Sequence, residues 1–337
     1  MEQTHLQAVS RNGEWLELEE QQLSLLLKSD NTDAPVREVG HPPQPKAGSH
    51  PHEVRQWLLA CSFLPGKWIN RLFSVGGIRW EGTKLQLQAF PAVDPDKDPL
   101  YRKAKLSVGM AVHEQPNVLY EDHFCLVVNK PSGMPVHESY AGQRGTLDEA
   151  AARHLLQQGD PLPVRHIHRL DDETSGPVLY AKNDFAQWKL DEAMRVKAID
   201  RQYVAVVQGQ IRPQSGMINK PIGKDRHHKS RRRVYEGGEH AVTHYETAAA
   251  NRNYSLLRLK LETGRTHQIR VHMSAAGCPL VGDTLYGGSN KLLRHQALHG
   301  EKLIFQQPWS GEWLSIDAPW PDWLHELVQA LGLASKS

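Results

Sequence analysis

Cysteine is scarce: Cys61, Cys125 and Cys278 are the three in 337 residues, odd in number and far apart. They exclude a disulfide framework and a zinc site of the CxxC kind, and they fit a reducing compartment. Long apolar runs are also missing, since the longest, near residues 57–64, is broken by Ser62 and stopped by Pro65. That is far short of the roughly 18 residues a membrane helix needs. A basic start followed by an apolar block, the mark of a signal peptide, is replaced by Glu2, Glu14, Glu17, Glu19 and Glu20. The expectation is a cytoplasmic protein with no membrane partner. No self-similar period of 20 to 50 residues is visible, which argues against a solenoid.

What is present is a globular composition, 39% apolar and 23% charged, in a chain long enough for about two domains. Net charge is only +2, yet it is unevenly placed. The first forty residues hold eight acids against three bases, whereas 220–233 holds seven Lys or Arg against Asp225 alone. One segment seeks polyanions and one end avoids them. Residues 1–28 read as an N-terminal extension whose apolar stretch, 15–27, fits neither helical nor strand period. Residues 29–53 carry Pro35, Pro42, Pro43, Pro45 and Pro51 and read as a linker. A small unit follows over 54–112, with helices expected at 54–62 and 66–73 and a strand and turn at 78–82. From 113 to 331 strand-like segments at 124–129, 177–181, 202–207 and 254–261 alternate with helices at 184–196, capped by Asn183 or Asp184, and at 266–276. An α+β domain is expected.

Four loops gather polar residues beside apolar strands, where a scaffold displays functional groups. The first is Asn129-Lys130-Pro131-Ser132-Gly133, for which a plain turn with a solvated lysine is the simpler reading. The second, His168 to Gly176, crowds Arg169, Asp171, Asp172, Glu173, Thr174 and Ser175 into one turn before a buried strand. An acid held there beside a cation stays anionic, although an ordinary Asx or Ser/Thr turn has the same composition. In the third, Glu262 to His272, Gly264 permits a tight turn, Thr266 is placed to cap, and His267 and Arg270 fall three apart on one helical face. Arginines beside a helix N-terminus, here Arg265 and Arg270, suit a phosphate or a carboxylate. The fourth is the basic run with Lys224, Arg231, Arg232 and Arg233, which would meet nucleic-acid phosphates through counterion release or remain a merely soluble loop. His166 and His168 lack a third ligand at metal spacing, so no metal site is expected. Trp309, Trp313, Trp320 and Trp323 are explained by a hairpin turning at Ser310-Gly311 and a following helix that bury their indoles, rather than by base stacking.

Taken together, the second and third loops resemble a known family. His168-Arg169-Leu170-Asp171-x-x-Thr174-Ser175-Gly176 and Leu261-x-Thr263-Gly264-Arg265-Thr266-His267-Gln268-Ile269-Arg270-Val271-His272 are similar to the signatures of RluA-type pseudouridine synthases. So are residues 127–133, 203–206, 279–283 and Tyr286-Gly287. The resemblance implies a catalytic domain built on a largely antiparallel mixed sheet with flanking helices, acting on uridine in RNA without metal or organic cofactor. It makes Asp171 the catalytic carboxylate, whether as nucleophile toward sugar or base or as acceptor of a sugar proton, and Arg270 its partner. Tyr203 is then the ring against the target base, and Arg169 the side chain that fills the gap left by a flipped uridine. Lys130, Arg265, His267 and the basic run become RNA contacts. Upstream, 54–82 resembles a small RNA-binding module shared with a small-subunit ribosomal protein, although its usual Val-Asn-Gly turn is Trp80-Glu81-Gly82 and its helix keeps only Lys67 and Arg71. Arg201 stands where lysine is common, and Asp172 and Glu173 add acids that would need inward faces or pairing with Arg169 or Arg265.

The substrate expected from this resemblance is loop or bulge RNA, large-subunit ribosomal RNA first and transfer RNA second, bound by a monomer. A non-catalytic ribosome-assembly factor that kept the fold is the alternative from another class. A glycosidase is not, because adjacent carboxylates on one turn do not straddle a sugar at about 5 to 9 Å.

Overall fold

The computed structural model describes residues 10–27, 42–106 and 116–333. Its first unit is a four-stranded antiparallel sheet in the order β1-β2-β4-β3, made of β1 (Ser10–Asn12), β2 (Trp15–Glu19), β3 (Ile78–Glu81) and β4 (Lys84–Leu87). Leu16 and Leu18 of β2 and Leu85 and Leu87 of β4 alternate, so each pair falls on one face, where it is buried with α1 (Pro51–Cys61) and α2 (Gly66–Ser74). The separate N-terminal extension expected from the sequence is thus corrected: residues 10–19 supply two strands of this sheet and the turn that follows packs into the same core. Their pattern is mixed because a five-residue strand runs straight into a 3-10 helix, Glu20–Leu26, which buries Leu23 and Leu26. Pro51 belongs to α1 and not to a linker, at a helix start where its missing N–H has no partner to lose. Residues 29–41 of the expected linker, and the expected border near residue 112, lie outside the described residues. Helix α3 (Pro99–Leu106), not anticipated, lies in the range expected for the small unit but packs on α4 (Leu147–Gln157), through Tyr101 and Ala104 against Ala152.

The larger domain holds two antiparallel sheets. One has the order β5-β6-β8-β7, from β5 (Asn117–Glu121), β6 (Cys125–Lys130), β7 (Arg165–His166) and β8 (Gly176–Ala181). The other runs β10-β13-β14-β9-β15-β16, from β9 (Asp200–Gln208), β10 (Ser215–Asn219), β13 (Val242–Ala250), β14 (Tyr254–Leu261), β15 (Leu298–Gln306) and β16 (Trp313–Asp317). Between β10 and β13 the chain makes a separate hairpin of β11 (Ile222–Lys224) and β12 (Arg232–Val234). Helices α5 (Asp184–Arg195), α6 (Gln268–Ala275) and α7 (Asp322–Ala330) complete the mixed α+β architecture. Asn183 caps α5 by accepting from the Ala186 amide at 2.8 Å, and Ala186 and Leu190 bury the face read from their spacing.

The two sheets share a core in which Leu126, Val128 and Val178 meet Ala205, Val207 and Leu257, with Ile269 and Met273 of α6 laid over them. They touch most closely where β8 begins, since Gly176 is pressed onto Gly300 of β15 and the Gly300 amide donates to the Ser175 carbonyl at 2.8 Å. Gly176 has φ +129°, and a Cβ there would fall 2.6 Å from the Gly300 oxygen, so only glycine fits. This crossing lies five residues beyond Asp171 and fixes where the preceding loop emerges.

The small unit is fastened to the larger domain by an aromatic cluster. Phe63 meets Phe185 edge-on at 6.3 Å, Phe124 stacks on Trp309 at 5.6 Å, and Trp68 reaches Phe185 at 5.2 Å. Arg11 adds a two-pronged pair with Asp160, both contacts 2.6 Å, and Arg71 pairs with Asp184. Trp309 is therefore buried as expected, but Trp313 is 58% exposed, because β16 is the edge of its sheet. Among the described residues no helix is long and apolar enough to cross a membrane.

Candidate active site

The loop from His168 to Gly176 is held at both ends by neutral histidines. Burial pushes His168 down to about 3, with the charges of Arg201 and His166 adding to the effect, and its Nε2 accepts from the Leu179 amide at 3.3 Å. Burial likewise pushes His299 down to about 4, the Ala318 carbonyl opposing, and its Nδ1 meets the Ser175 hydroxyl at 2.8 Å. Inside the loop the Thr174 amide donates to the Asp171 carbonyl at 2.9 Å, closing a turn that displays the Asp171 side chain. The hydroxyls of the first motif tie it to the neighbouring chain, Ser175 to His299 and Thr174 by accepting from Gln296 at 3.2 Å.

Arg270 reaches Asp171 from α6, its Nη1 lying 2.9 Å from Oδ2. Its other face is taken by Asp283, through Nε at 2.7 Å and Nη2 at 2.9 Å, and its guanidinium sits 5.0 Å from the centre of the Tyr286 ring. Burial disfavours that positive charge, but hydrogen bonds to Asp283 and the charges of Asp171 and Asp283 outweigh it and raise the arginine further. Asp283 is fully buried, so the pairs form an inner carboxylate that orients a guanidinium, which in turn orients an outer carboxylate. His267 completes the wall. The Tyr286 hydroxyl accepts from the Arg232 amide at 2.9 Å and meets His267 Nδ1 at 2.8 Å, while His267 Nε2 lies 3.9 Å from Asp171 Oδ2. Burial lowers the His267 pKa, the Asp171 charge opposing, which favours the uncharged imidazole.

The rest of the second motif is scaffolding. Thr263 and Gln268 meet at 2.7 Å, the Val242 amide donates to Thr263 at 2.9 Å, and Gln268 returns a bond to the Val242 carbonyl at 2.9 Å. His272 bridges the Thr243 hydroxyl and the Lys220 carbonyl, both at 2.9 Å, tying α6 to the base of the basic hairpin. Two local expectations are corrected. Thr266 is not the cap, because α6 starts after His267, which takes a left-handed turn at φ +58°. Gly264 takes no positive φ; its bare Cα instead lies against the Arg201 guanidinium, with Nη1 2.7 Å from where a Cβ would stand.

These residues line a cleft of about 1060 Å³ together with Tyr203 of β9, Arg169, Arg201 and Arg265. Tyr203 is 5% exposed, and burial raises its phenol, with Arg201 opposing and Asp171 adding to the rise. Arg169 is exposed at the rim and donates to His137 at 3.1 Å. Arg265 pairs with Glu239 at 2.5 Å, so neither arginine pairs with the exposed Asp172 or Glu173, contrary to expectation. Glu173 accepts instead from Ser132. Lys130, expected to face RNA, is fully buried: its Nζ donates to the carbonyls of Pro131, Met134 and Asp172 at 3.0, 2.7 and 2.6 Å, and burial pushes it down to about 7. It binds the first loop to the second and cannot reach a backbone phosphate. Lys224 and Arg231 are exposed on the hairpin, where Arg231 lies 5.7 Å from the Tyr286 ring, so the basic run stands beside the Asp171 wall. Arg233 covers Tyr235 instead, at 5.2 Å. Asp283 and Tyr286 were legible only as part of a resembling segment, with no signal of their inward role.

Residues 123–275 match the family model described as RNA pseudouridylate synthase. A Bacillus subtilis protein named uncharacterized RNA pseudouridine synthase YhcT is 46% identical over 207 residues, covering 61% of this chain and 68% of that one. A Vibrio cholerae protein named ribosomal large subunit pseudouridine synthase D is 38% identical over 229 residues, covering 64% and 70%. The solved structure of human RNA pseudouridylate synthase domain containing 4 shares the fold, with a TM-score of 0.56 at 22% identity over 70% of this chain and 99% of that one. The chain belongs to the RluA-type family of RNA pseudouridine synthases, enzymes that isomerise uridine to pseudouridine within RNA.

Proposed function

We propose that this enzyme modifies uridine in large-subunit ribosomal RNA and that Asp171 is the group that engages the nucleotide. The observation that carries the reading is the Asp283–Arg270–Asp171 chain. It holds one carboxylate oxygen, Oδ2, and leaves Oδ1 to a substrate in a cleft large enough for a flipped nucleotide. The reaction breaks the bond from ribose to the ring nitrogen, makes one to carbon 5, loses the proton of carbon 5 and gains one at the nitrogen. Its atoms and electrons balance within uridine. Asp171 acts at the sugar or the base, Arg270 aims it, and Tyr203, buried and protonated at neutral pH, provides the surface against which the ring turns. Arg169, exposed at the rim, fills the space the base vacates, and the basic hairpin holds flanking phosphates.

Large-subunit ribosomal RNA is supported by relatives whose names carry that substrate and by the small sheet unit fastened beside the catalytic domain. Site-resolved pseudouridine mapping on total RNA from cells with the gene, without it, and with an Asp171→Asn copy restored tests the proposal. A ribosomal site that vanishes with the gene and returns only with the wild-type copy is expected. A lost site in transfer RNA would replace the substrate, and full modification by the Asp171→Asn copy would remove Asp171 from the chemistry.

A further inference from the structure

Buried cations of the larger domain come with partners. Arg270 has two carboxylates, Lys130 has three carbonyls, and Lys182 has Glu121 at 2.7 Å and the Asp122 carbonyl at 2.7 Å. Arg201 departs from this. It is 8% exposed, its Nε is sheltered with no hydrogen-bond partner, and no ion pair to its guanidinium exists among the described residues. A guanidinium taken out of water without a counter-charge is destabilising, so the fold carries an unmet demand for an anion.

Place and shape say what that anion is. Arg201 lines the cleft, its guanidinium lying against the bare Cα of Gly264. It precedes Tyr203 by two residues on β9, so the two side chains share a face about 7 Å apart along the strand. That is the span from a base to the backbone phosphate of its own nucleotide. A uracil carbonyl accepts a hydrogen bond but neutralises nothing, whereas a phosphodiester does both. We propose that Arg201 seats one of the two phosphodiesters flanking the target uridine. Held there, the sugar and backbone stay against Asp171 while the freed base turns over Tyr203. Arg201 is therefore a substrate-positioning residue for the half of the nucleotide that must not move.

The inference rests on the function proposed above and is tested with it. A stem-loop RNA carrying the mapped uridine is made with natural phosphates or with a methylphosphonate at either flanking position. Affinity and kcat/KM are then compared for wild type, Arg201→Gln and Arg201→Lys. Removing either the charge on the RNA or Arg201 is expected to weaken wild-type function about tenfold, the size of one charge-assisted contact. The two losses together are expected to be no worse than one, and Arg201→Lys to keep its sensitivity to the methylphosphonate. Losses that multiply independently at both positions would leave Arg201 a merely structural residue and overturn the proposal. An RNA that binds with the expected coupling but is not converted would sink the activity and leave the seat standing. One that the wild type neither binds nor converts would sink both.

Discussion

Arg270 stands between a carboxylate buried in the core and one that lines the cleft, and each contact has a separable consequence. Arg270→Lys keeps the charge but loses the fork that spans Asp283 and Asp171. We expect kcat to fall about a hundredfold with KM little changed, as for a misaimed reactive group, and single-turnover kinetics will show it. Asp283→Asn breaks a buried pair and should cost about 3–5 kcal/mol, measured by urea unfolding. His168 and His299 set an acid limit. Their folded pKa values, about 3 and about 4, lie below the roughly 6.5 of the unfolded chain, so between those values the unfolded state binds more protons. Stability is then full above about pH 6.5 and falls as the pH drops, by up to about 1.4 kcal/mol per unit for each histidine. His299→Asn should flatten part of that slope in unfolding curves taken at pH 7, 6 and 5, and an unchanged slope would contradict it. Asp171 and Arg270 were legible in the sequence because a carboxylate and a guanidinium recur inside long patterned segments. Lys130 was misread since a lysine before Pro-Ser-Gly looks solvated, and nothing local announces three carbonyls converging on it from two loops.

At the scale of elements, the strands were the most readable feature, because alternation such as Leu257, Leu259 and Leu261 survives burial on one face. The segment from Trp15 to Leu26 was opaque for the converse reason: strand and 3-10 turn are each too short to show a period. Helix α6 starts two residues later than the sequence suggests, as its start is set by a left-handed His267 that no propensity rule anticipates. The β11–β12 hairpin was visible as charge but not as two paired strands. Replacing Arg231, Arg232 and Arg233 with Ser should weaken RNA binding and reduce the dependence of log Kd on log salt by up to about 2, with kcat at saturating RNA retained. A salt slope equal to wild type would mean that the hairpin does not meet the backbone.

Across the whole molecule, the small unit and the catalytic domain meet through Phe63, Phe124, Phe185 and Trp309, which belong to one apolar core. Phe185→Ala should cost about 3–5 kcal/mol and lower the unfolding of both units together. Two well-separated transitions in calorimetry would show that the cluster does not couple them. Sequence alone could not reveal this union, because apolar residues more than a hundred positions apart carry no mark of whom they meet. The contact of Gly176 with Gly300 has a further consequence for recognition. Backbone against backbone leaves no side chain to rearrange, so at the root of the Asp171 loop the enzyme behaves as a rigid jig and not as a glove. On the proposed function, the deformation needed to bring a uridine to Asp171 then falls on the RNA, and loops that bend cheaply are expected to be the better substrates.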